Sequence, residues 1–249
     1  MDLFVGDYVE VDEGIITAFY PRKNRLIRPY VANIDVLMIV IAPVPKPDFL
    51  CVEKLILNCH VQKIEPCLVI NKTDVAASEA VEEFARPYLK EFKVFRVSAF
   101  KEETLTPLKE YIKGKLVCFA GQSAVGKSSL INSLTGKSLE VGELSKRIAR
   151  GKNTTRHIEI FPCCGGYVVD TCGFSVMEQD EVKASELVYY YDELLAFQSE
   201  CRYTNCTHTN EPFCAVKKAV EEGKIDKDRY ERYLKLFNAL KESGRKKYD

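Results

Sequence analysis

The sequence predicts an α/β protein: a mainly parallel sheet with helices on both faces, preceded by a short β segment and followed by a helical one. Three observations carry this. Residues 36–42, VLMIVIA, form an unbroken apolar run of the length that suits a strand buried on both faces. Strand-like apolar runs and helix-like stretches then alternate to about residue 176, the rhythm of βαβ units. A glycine-containing loop separates one such run, LVCFA, from one such stretch, SSLINSL.

The elements are expected in the following order. Residues 1–29 hold two short strands, Tyr8–Val11 and Gly14–Phe19, around the turn Asp12-Glu13-Gly14. Two strands cannot stand alone, so they read as an edge of something larger or as a truncated barrel. Residues 30–182 hold the α/β body. Its strands are Val36–Ala42, Cys67–Ile70, Val94–Val97, Leu116–Ala120 and Tyr167–Val169. Its helices are Phe49–His60, Ser78–Phe92 (which Pro87 should kink or end), Leu105–Lys113 and Ser128–Leu134. Residues 183–249 are rich in charges and helix formers, with helices expected at Ala184–Phe197 and Asp228–Glu242.

Composition narrows the function classes. With 249 residues, 46% of them hydrophobic, the chain has room for one medium domain and a small module. Lys+Arg and Asp+Glu both total 36, so bulk charge makes no case for nucleic-acid binding, although a local basic patch survives inside a balanced total. No run approaches the roughly 18 apolar residues of a membrane span, and Met1-Asp2-Leu3-Phe4 lacks a secretory start. A cytoplasmic protein with no membrane partner is expected, a monomer by default. Of the ten cysteines, Cys51, Cys59, Cys67, Cys118, Cys163, Cys164 and Cys172 are scattered, mostly among apolar neighbours where cysteine acts as a small hydrophobe.

Gly121-Gln122-Ser123-Ala124-Val125-Gly126-Lys127-Ser128 fits the phosphate-loop pattern G-x-x-x-x-G-K-[ST], in the strand–loop–helix setting it requires. Its glycines let backbone N–H groups curl around an anion at a helix N-terminus, where the dipole favours negative charge. Lys127 is placed to bridge β- and γ-phosphates and act as the catalytic cation, Ser128 to ligate Mg²⁺, and Ser129 to add to the nucleotide contacts. A glycine-rich turn that binds nothing is the bland alternative; the flanking elements count against it.

Asn71-Lys72-Thr73-Asp74 selects the base. It follows the strand Cys67–Ile70 directly, and a carboxylate at the end of such a loop accepts hydrogen bonds from N1–H and the 2-amino group of guanine. Adenine offers neither donor. Lys72 would lie along the base and Asn71 would brace the loop. Ser98-Ala99, after the strand VFRV, would supply a backbone contact to guanine O6. Asp170-Thr171-Cys172-Gly173 ends the next strand after the phosphate loop; Asp170 would reach Mg²⁺ through water and the Gly173 N–H would sense a γ-phosphate. Between them, Asn153-Thr154-Thr155-Arg156 reads as a switch loop, with Thr155 favoured over Thr154 as the Mg²⁺ ligand. The base reader thus precedes the phosphate loop, so the domain is a circularly permuted P-loop GTPase domain, and GTP and GDP are the expected ligands. Every motif still ends a strand, where ligands bind in open α/β sheets.

Cys201, Cys206, His208 and Cys214 supply three thiols and one of only three histidines within fourteen residues. Three Cys and one His are a standard tetrahedral set for structural zinc. Incidental free cysteines in a loop are the alternative. A closed four-ligand set predicts one structural ion, holding together a segment too small for its own core.

Together, the permuted order, GQSAVGKSSLIN, GKNTTRH, DTCGF, the NKTD loop, PRKNRLIRPYVANID and the Cys-Cys-His-Cys cluster resemble the RsgA (YjeQ) family of bacterial GTPases that mature the small ribosomal subunit. The resemblance covers nearly the whole chain. It implies an OB-fold, of which residues 1–29 leave room for only a partial N-terminal β segment, then the permuted G domain, then a C-terminal helical zinc domain. It also implies slow GTP hydrolysis that the small ribosomal subunit and its rRNA stimulate. The chain departs from the family in Cys172 for the usual proline of DTPGF and in Ala124 for a common glycine. Ras-type GTPases put a water-orienting glutamine after the D-x-x-G glycine; this chain has Phe174, so slow unaided hydrolysis is expected, with His157 the candidate to position water and a plain surface histidine the alternative. Residues 137–157 carry six basic residues against two acidic ones, a local charge of +4, and Gly244–Lys247 adds a second basic cluster; a solvated face is the plain reading, and the resemblance implies rRNA contact. A GTP-dependent switch acting on a non-ribosomal protein partner is the second reading.

Overall fold

The structure, a computed structural model, describes residues 2–27, 30–75, 77–136, 158–170 and 182–245. Two compact units divide the chain, Met1–Glu178 and Gln179–Asp249.

The first unit opens with an antiparallel hairpin, β1 (Val9–Asp12) and β2 (Ile15–Phe19). Asp12 faces Ile15, so the loop is two residues long, and Glu13 and Gly14 both take positive φ (48° and 82°). That is the turn whose twist matches the strands it joins. A small ribbon follows, β3 (Arg25–Leu26) with β4 (Val31–Ala32). Arg22 clamps this segment by pairing with Asp7 at 2.6 Å.

The body is a six-stranded sheet: β5 (Val36–Ile41), β6 (Glu65–Ile70), β7 (Val94–Arg96), β8 (Leu116–Ala120), β9 (Glu159–Cys163) and β10 (Gly166–Asp170), in the order β7-β6-β5-β8-β10-β9. Five strands are parallel and β9 is an antiparallel edge. All six residues of β5 are buried, as an apolar run between two helical layers must be. Strand periodicity splits them: Leu37, Ile39 and Ile41 pack with Leu55, Ile56 and Phe84 on one face, Val36, Met38 and Val40 with Leu105, Leu108 and Leu130 on the other. The helices are α1 (Phe49–Gln62), α2 (Glu79–Ala85), α3 (Glu102–Ile112) and α4 (Lys127–Thr135).

Several elements differ from the sequence expectation. The helix expected over 78–92 stops being α at Ala85 and tightens to 3₁₀ over Arg86–Lys90, where Pro87 removes an N–H. The helix expected at Leu105 begins at Glu102, whose acidic first turn suits a helix N-terminus. Strand β9 was not expected; its Pro162 argues against a central strand and is tolerated at the edge.

In the second unit the single helix expected over 184–197 is two pieces, a 3₁₀ turn at Ala184–Tyr190 and α5 (Asp192–Gln198). The break is Tyr191 (φ −129°, ψ 85°), whose buried ring meets Tyr233 edge-on at 5.1 Å. Helix α6 (Ala215–Glu221) was not foreseen, and α7 (Lys227–Arg245) extends beyond the expected 228–242 at both ends. Among the described residues no helix is long and apolar enough to cross a membrane.

Candidate functional site

Strand order reverses between β5 and β8: β6 and β7 lie to one side, β10 and β9 to the other. A crevice therefore opens at the carboxyl ends of β5 and β8, the place where open α/β sheets bind ligands. The phosphate loop leaves β8 there. Gly121 takes φ 138°, and a Cβ on it would stand 2.3 Å from the carbonyl oxygen of Val40 in β5. Gly126 takes φ 96° and caps α4, and a Cβ on it would stand 2.4 Å from Asn71 Nδ2. Both positions therefore exclude any side chain. Ala124 also has positive φ, 64°, which explains why glycine suits that position; the alanine carries a backbone cost of about 1 kcal/mol. No side chain caps the first turn of α4, leaving its N–H groups free to meet an anion.

Asn71 is the joint between the two recognition loops. It is 1% exposed. Its Nδ2 donates to the Val125 carbonyl at 2.9 Å, and its Oδ1 accepts from the Ala99 N–H at 3.2 Å. One side chain thus pins the base-reading loop, the Ser98-Ala99 loop and the phosphate loop together. Lys72 (φ 62°) repeats the link on the exposed side, its Nζ donating to Val44 O at 2.9 Å and Ala124 O at 2.7 Å. The stem of Lys72 is thereby laid flat beside the pocket that Asp74, Ala99, Gly126 and Ser129 also line. The Ser98 hydroxyl bonds Asp74 and holds its carboxyl below the usual range, so the acceptor stays ionised. Gln122 Oε1 accepts from the Asp48 N–H at 3.1 Å, fixing the near side of the loop to the start of α1.

Lys127 is the first residue of α4, and its Nζ donates to the Gly121 and Gln122 carbonyls at 2.7 and 2.8 Å. Burial brings its ammonium down to about 8, an unusual value for lysine and one that an adjacent phosphate would raise again. Ser128 follows it on the same turn, and Thr73 and Ser123 sit within their respective loops. Asp170 ends β10 one residue beyond Val169, which is level with Cys118 of β8, so its backbone lies on the same edge as the phosphate loop. The Asp170 side chain, Thr154, Thr155, His157, Cys172, Gly173, Phe174 and the basic segment 137–157 lie outside the described residues, as do Lys246 and Lys247.

The second unit holds the other candidate centre. The donor atoms of Cys201, Cys206, His208 and Cys214 all lie within 4.8 Å of one another, the one such cluster among the described residues. Cys201 and Cys214 sulfurs are 4.0 Å apart, and His208 Nδ1 is 3.7 and 3.4 Å from them. A tetrahedral ion with zinc-type bond lengths sets its ligand atoms about 3.5–3.8 Å apart, so the set fits a metal ion. His208 turns Nδ1 toward the sulfurs and Nε2 toward Gln198 Oε1 at 3.4 Å. An ion held by Nδ1 leaves Nε2–H to face Gln198, the outer-shell contact that fixes a ligating imidazole. Glu211 accepts from the Thr207 N–H (2.8 Å), the Thr207 hydroxyl (2.6 Å) and the Thr209 N–H (2.9 Å), folding the chain around His208. Those bonds, against burial, bring the Glu211 carboxyl down to about 2. From α7, the Tyr230 hydroxyl donates to His208 O (2.6 Å) and the Tyr233 hydroxyl to Thr207 O (2.7 Å).

With this geometry in place, comparison with known proteins is decisive. A family model described as RsgA GTPase matches residues 19–180. The chain belongs to the RsgA GTPase family. The "Small ribosomal subunit biogenesis GTPase RsgA" of Caldanaerobacter subterraneus subsp. tengcongensis is 44% identical over 254 residues, covering 98% of this chain and 85% of that protein. Its counterpart in Thermotoga neapolitana is 37% identical, covering 98% and 86%. The crystal structure of YjeQ from Thermotoga maritima superposes with a TM-score of 0.82 at 34% identity, covering 96% of this chain and 85% of that one. The crystal structure of YloQ, described as a circularly permuted GTPase, gives 0.79 at 29%, covering 98% and 82%. As an RsgA-family member the chain is a GTP hydrolase with a circularly permuted G domain.

Sequence reasoning missed several residues that the RsgA-family fold brings to this crevice. Val44 lines the pocket and accepts from Lys72 through its carbonyl, a contact that has no sequence signature. The Asp48–Gln122 bond joins positions 74 apart. Val75 and Phe100 border the pocket with large exposed side chains; an apolar residue directly after Ser98-Ala99 was the one available signal.

Proposed function

We propose that this chain hydrolyses GTP on the small ribosomal subunit late in that particle's maturation, with turnover that the subunit stimulates. The observation that supports it best is the junction at Asn71, where the base-reading and phosphate loops are bonded to each other across one crevice. The names of its relatives supply the partner.

In this reading Asp74 accepts the two guanine donors, Lys72 lies along the base, Thr73 completes that loop, and the Ala99 N–H meets O6. The backbone from Gly121 to Ser129 cradles the phosphates, and Lys127 bridges the β- and γ-oxygens. Ser128, Asp170 through water, and Thr155 would hold Mg²⁺; the ion neutralises charge that spreads over the phosphates during transfer. The Gly173 N–H senses the γ-phosphate. Phe174 has no hydrogen bond to offer an attacking water, so unaided hydrolysis is slow, and His157 or a ribosomal group supplies that function. Cys201, Cys206, His208 and Cys214 hold one structural zinc ion. Residues 1–29 act as a partial OB-type β segment, 30–182 as the G domain and 183–249 as the zinc domain. The basic stretch 137–157 contacts rRNA, and the protein works in the cytoplasm as a monomer.

The test is GTP turnover with and without purified small ribosomal subunits, Lys127→Ala serving as the blank. Stimulation of at least tenfold, absent in the blank, is the expected result. Slow turnover indifferent to the subunit would refute the ribosomal partner and favour a protein-directed switch.

A further inference from the structure

Directly after Ser98-Ala99 stands Phe100, at 82% the most exposed large apolar side chain among the described residues. Its backbone, unlike its ring, is firmly held. The Phe100 N–H donates to Ser98 Oγ at 3.2 Å, and that same hydroxyl group bonds the Asp74 carboxylate. Ala99 is held by Asn71, and the Lys101 N–H closes a turn on Ser98 O at 3.1 Å. Phe100 is thus the outward residue of a turn fixed through Asn71 and through Ser98, whose hydroxyl also bonds Asp74. Its ring borders the same pocket as Lys72 and Asp74.

A phenyl ring kept in water beside a flat heterocycle's site has an evident use. A purine bound through its Watson–Crick edge presents two π faces and a rim; the Lys72 stem covers one side. We propose that Phe100 is a base-contacting residue whose ring packs on the guanine held by Asp74 and Lys72, tightening nucleotide binding and slowing its release. The proposal rests on the guanine-site reading above. Because the ring touches little of the protein itself, removing it should leave folding intact and act on the ligand alone. Aromatic–base stacking tolerates exchange between aromatic side chains but not truncation.

The experiment uses the full chain and GDP. By calorimetry, Phe100→Ala should weaken GDP binding about tenfold, within the range that loss of a base–aromatic stack commands. Phe100→Tyr should remain within about twofold of the parent. The chain has no tryptophan, so Phe100→Trp places a single reporter at the pocket, and GDP should quench its emission. Equal GDP affinity in Phe100→Ala and the parent, or emission from Phe100→Trp that is unchanged while calorimetry registers bound GDP, overturns the proposal. A parent chain that binds no GDP refutes the guanine-site reading and this proposal with it. Binding by the parent with an unaffected alanine variant refutes this proposal alone and leaves the ring as a contact for some other molecule.

Discussion

The half-buried Lys127 is expected to couple nucleotide binding to pH. Partial burial brings its ammonium down to about 8, which predicts a free protein that is partly deprotonated there near that pH. Phosphates favour the charged form and raise the value again. The sign follows: GDP binding at pH 8 must take up a proton fraction of about one half, against about a tenth at pH 7. Calorimetry in buffers of different ionisation enthalpy reads this directly. A binding heat at pH 8 that does not vary with buffer would show that Lys127 is already fully charged. Asp74 works in the other direction: the Ser98 hydroxyl holds it ionised, so guanine recognition should not change across the same pH range.

At the scale of elements, the site is an assembly of loops whose geometry depends on buried cross-links. Asn71 at the end of β6 satisfies the Val125 carbonyl and the Ala99 N–H, both remote in sequence. Asn71→Ala leaves those two groups without their partner in a dry setting, at about 1–3 kcal/mol each. We expect a loss of about 3 kcal/mol, or roughly 10 °C in thermal midpoint for a unit of this size, together with at least tenfold weaker GDP binding. Thermal unfolding and a GDP titration check both. Stability lost with binding intact would mean that the loops keep their spacing without the joint. The same dependence explains the glycines: at Gly121 and Gly126 the neighbouring element approaches where a Cβ would be.

For the molecule as a whole, the second unit has few buried apolar residues beyond Leu187, Val188, Leu194, Val216, Leu236 and Phe237 with its tyrosines. A structural zinc ion contributes about 10–16 kcal/mol to the fold of a small module, as much as a whole domain's net stability. If zinc fills the Cys201, Cys206, His208 and Cys214 set, a strong chelator should therefore unfold the second unit, seen as lost helical circular dichroism that returns with zinc. The proposed nucleotide-binding residues all belong to the first unit, so GDP affinity should persist. Unchanged circular dichroism after verified metal loss would show that the aromatic core around Tyr191 and Tyr233 suffices.

The sequence by itself determined the strand–helix alternation, the five motif segments, their permuted order and the four metal-ligand candidates. Each is a local pattern, an apolar run of fixed period or a short string whose chemistry depends on neighbours in the chain. The tertiary structure decided what depends on distant residues meeting. It placed Pro162 at a sheet edge and let β9 form. It broke the helix at Tyr191 because Tyr233 holds that ring. It also joined Asn71 to Val125 and Gln122 to Asp48, and left Phe100 uncovered beside the pocket that Lys72 and Asp74 line. Local patterns carry no information about which backbone carbonyl or ring from a distant element comes to face them, so these contacts were legible only in the fold.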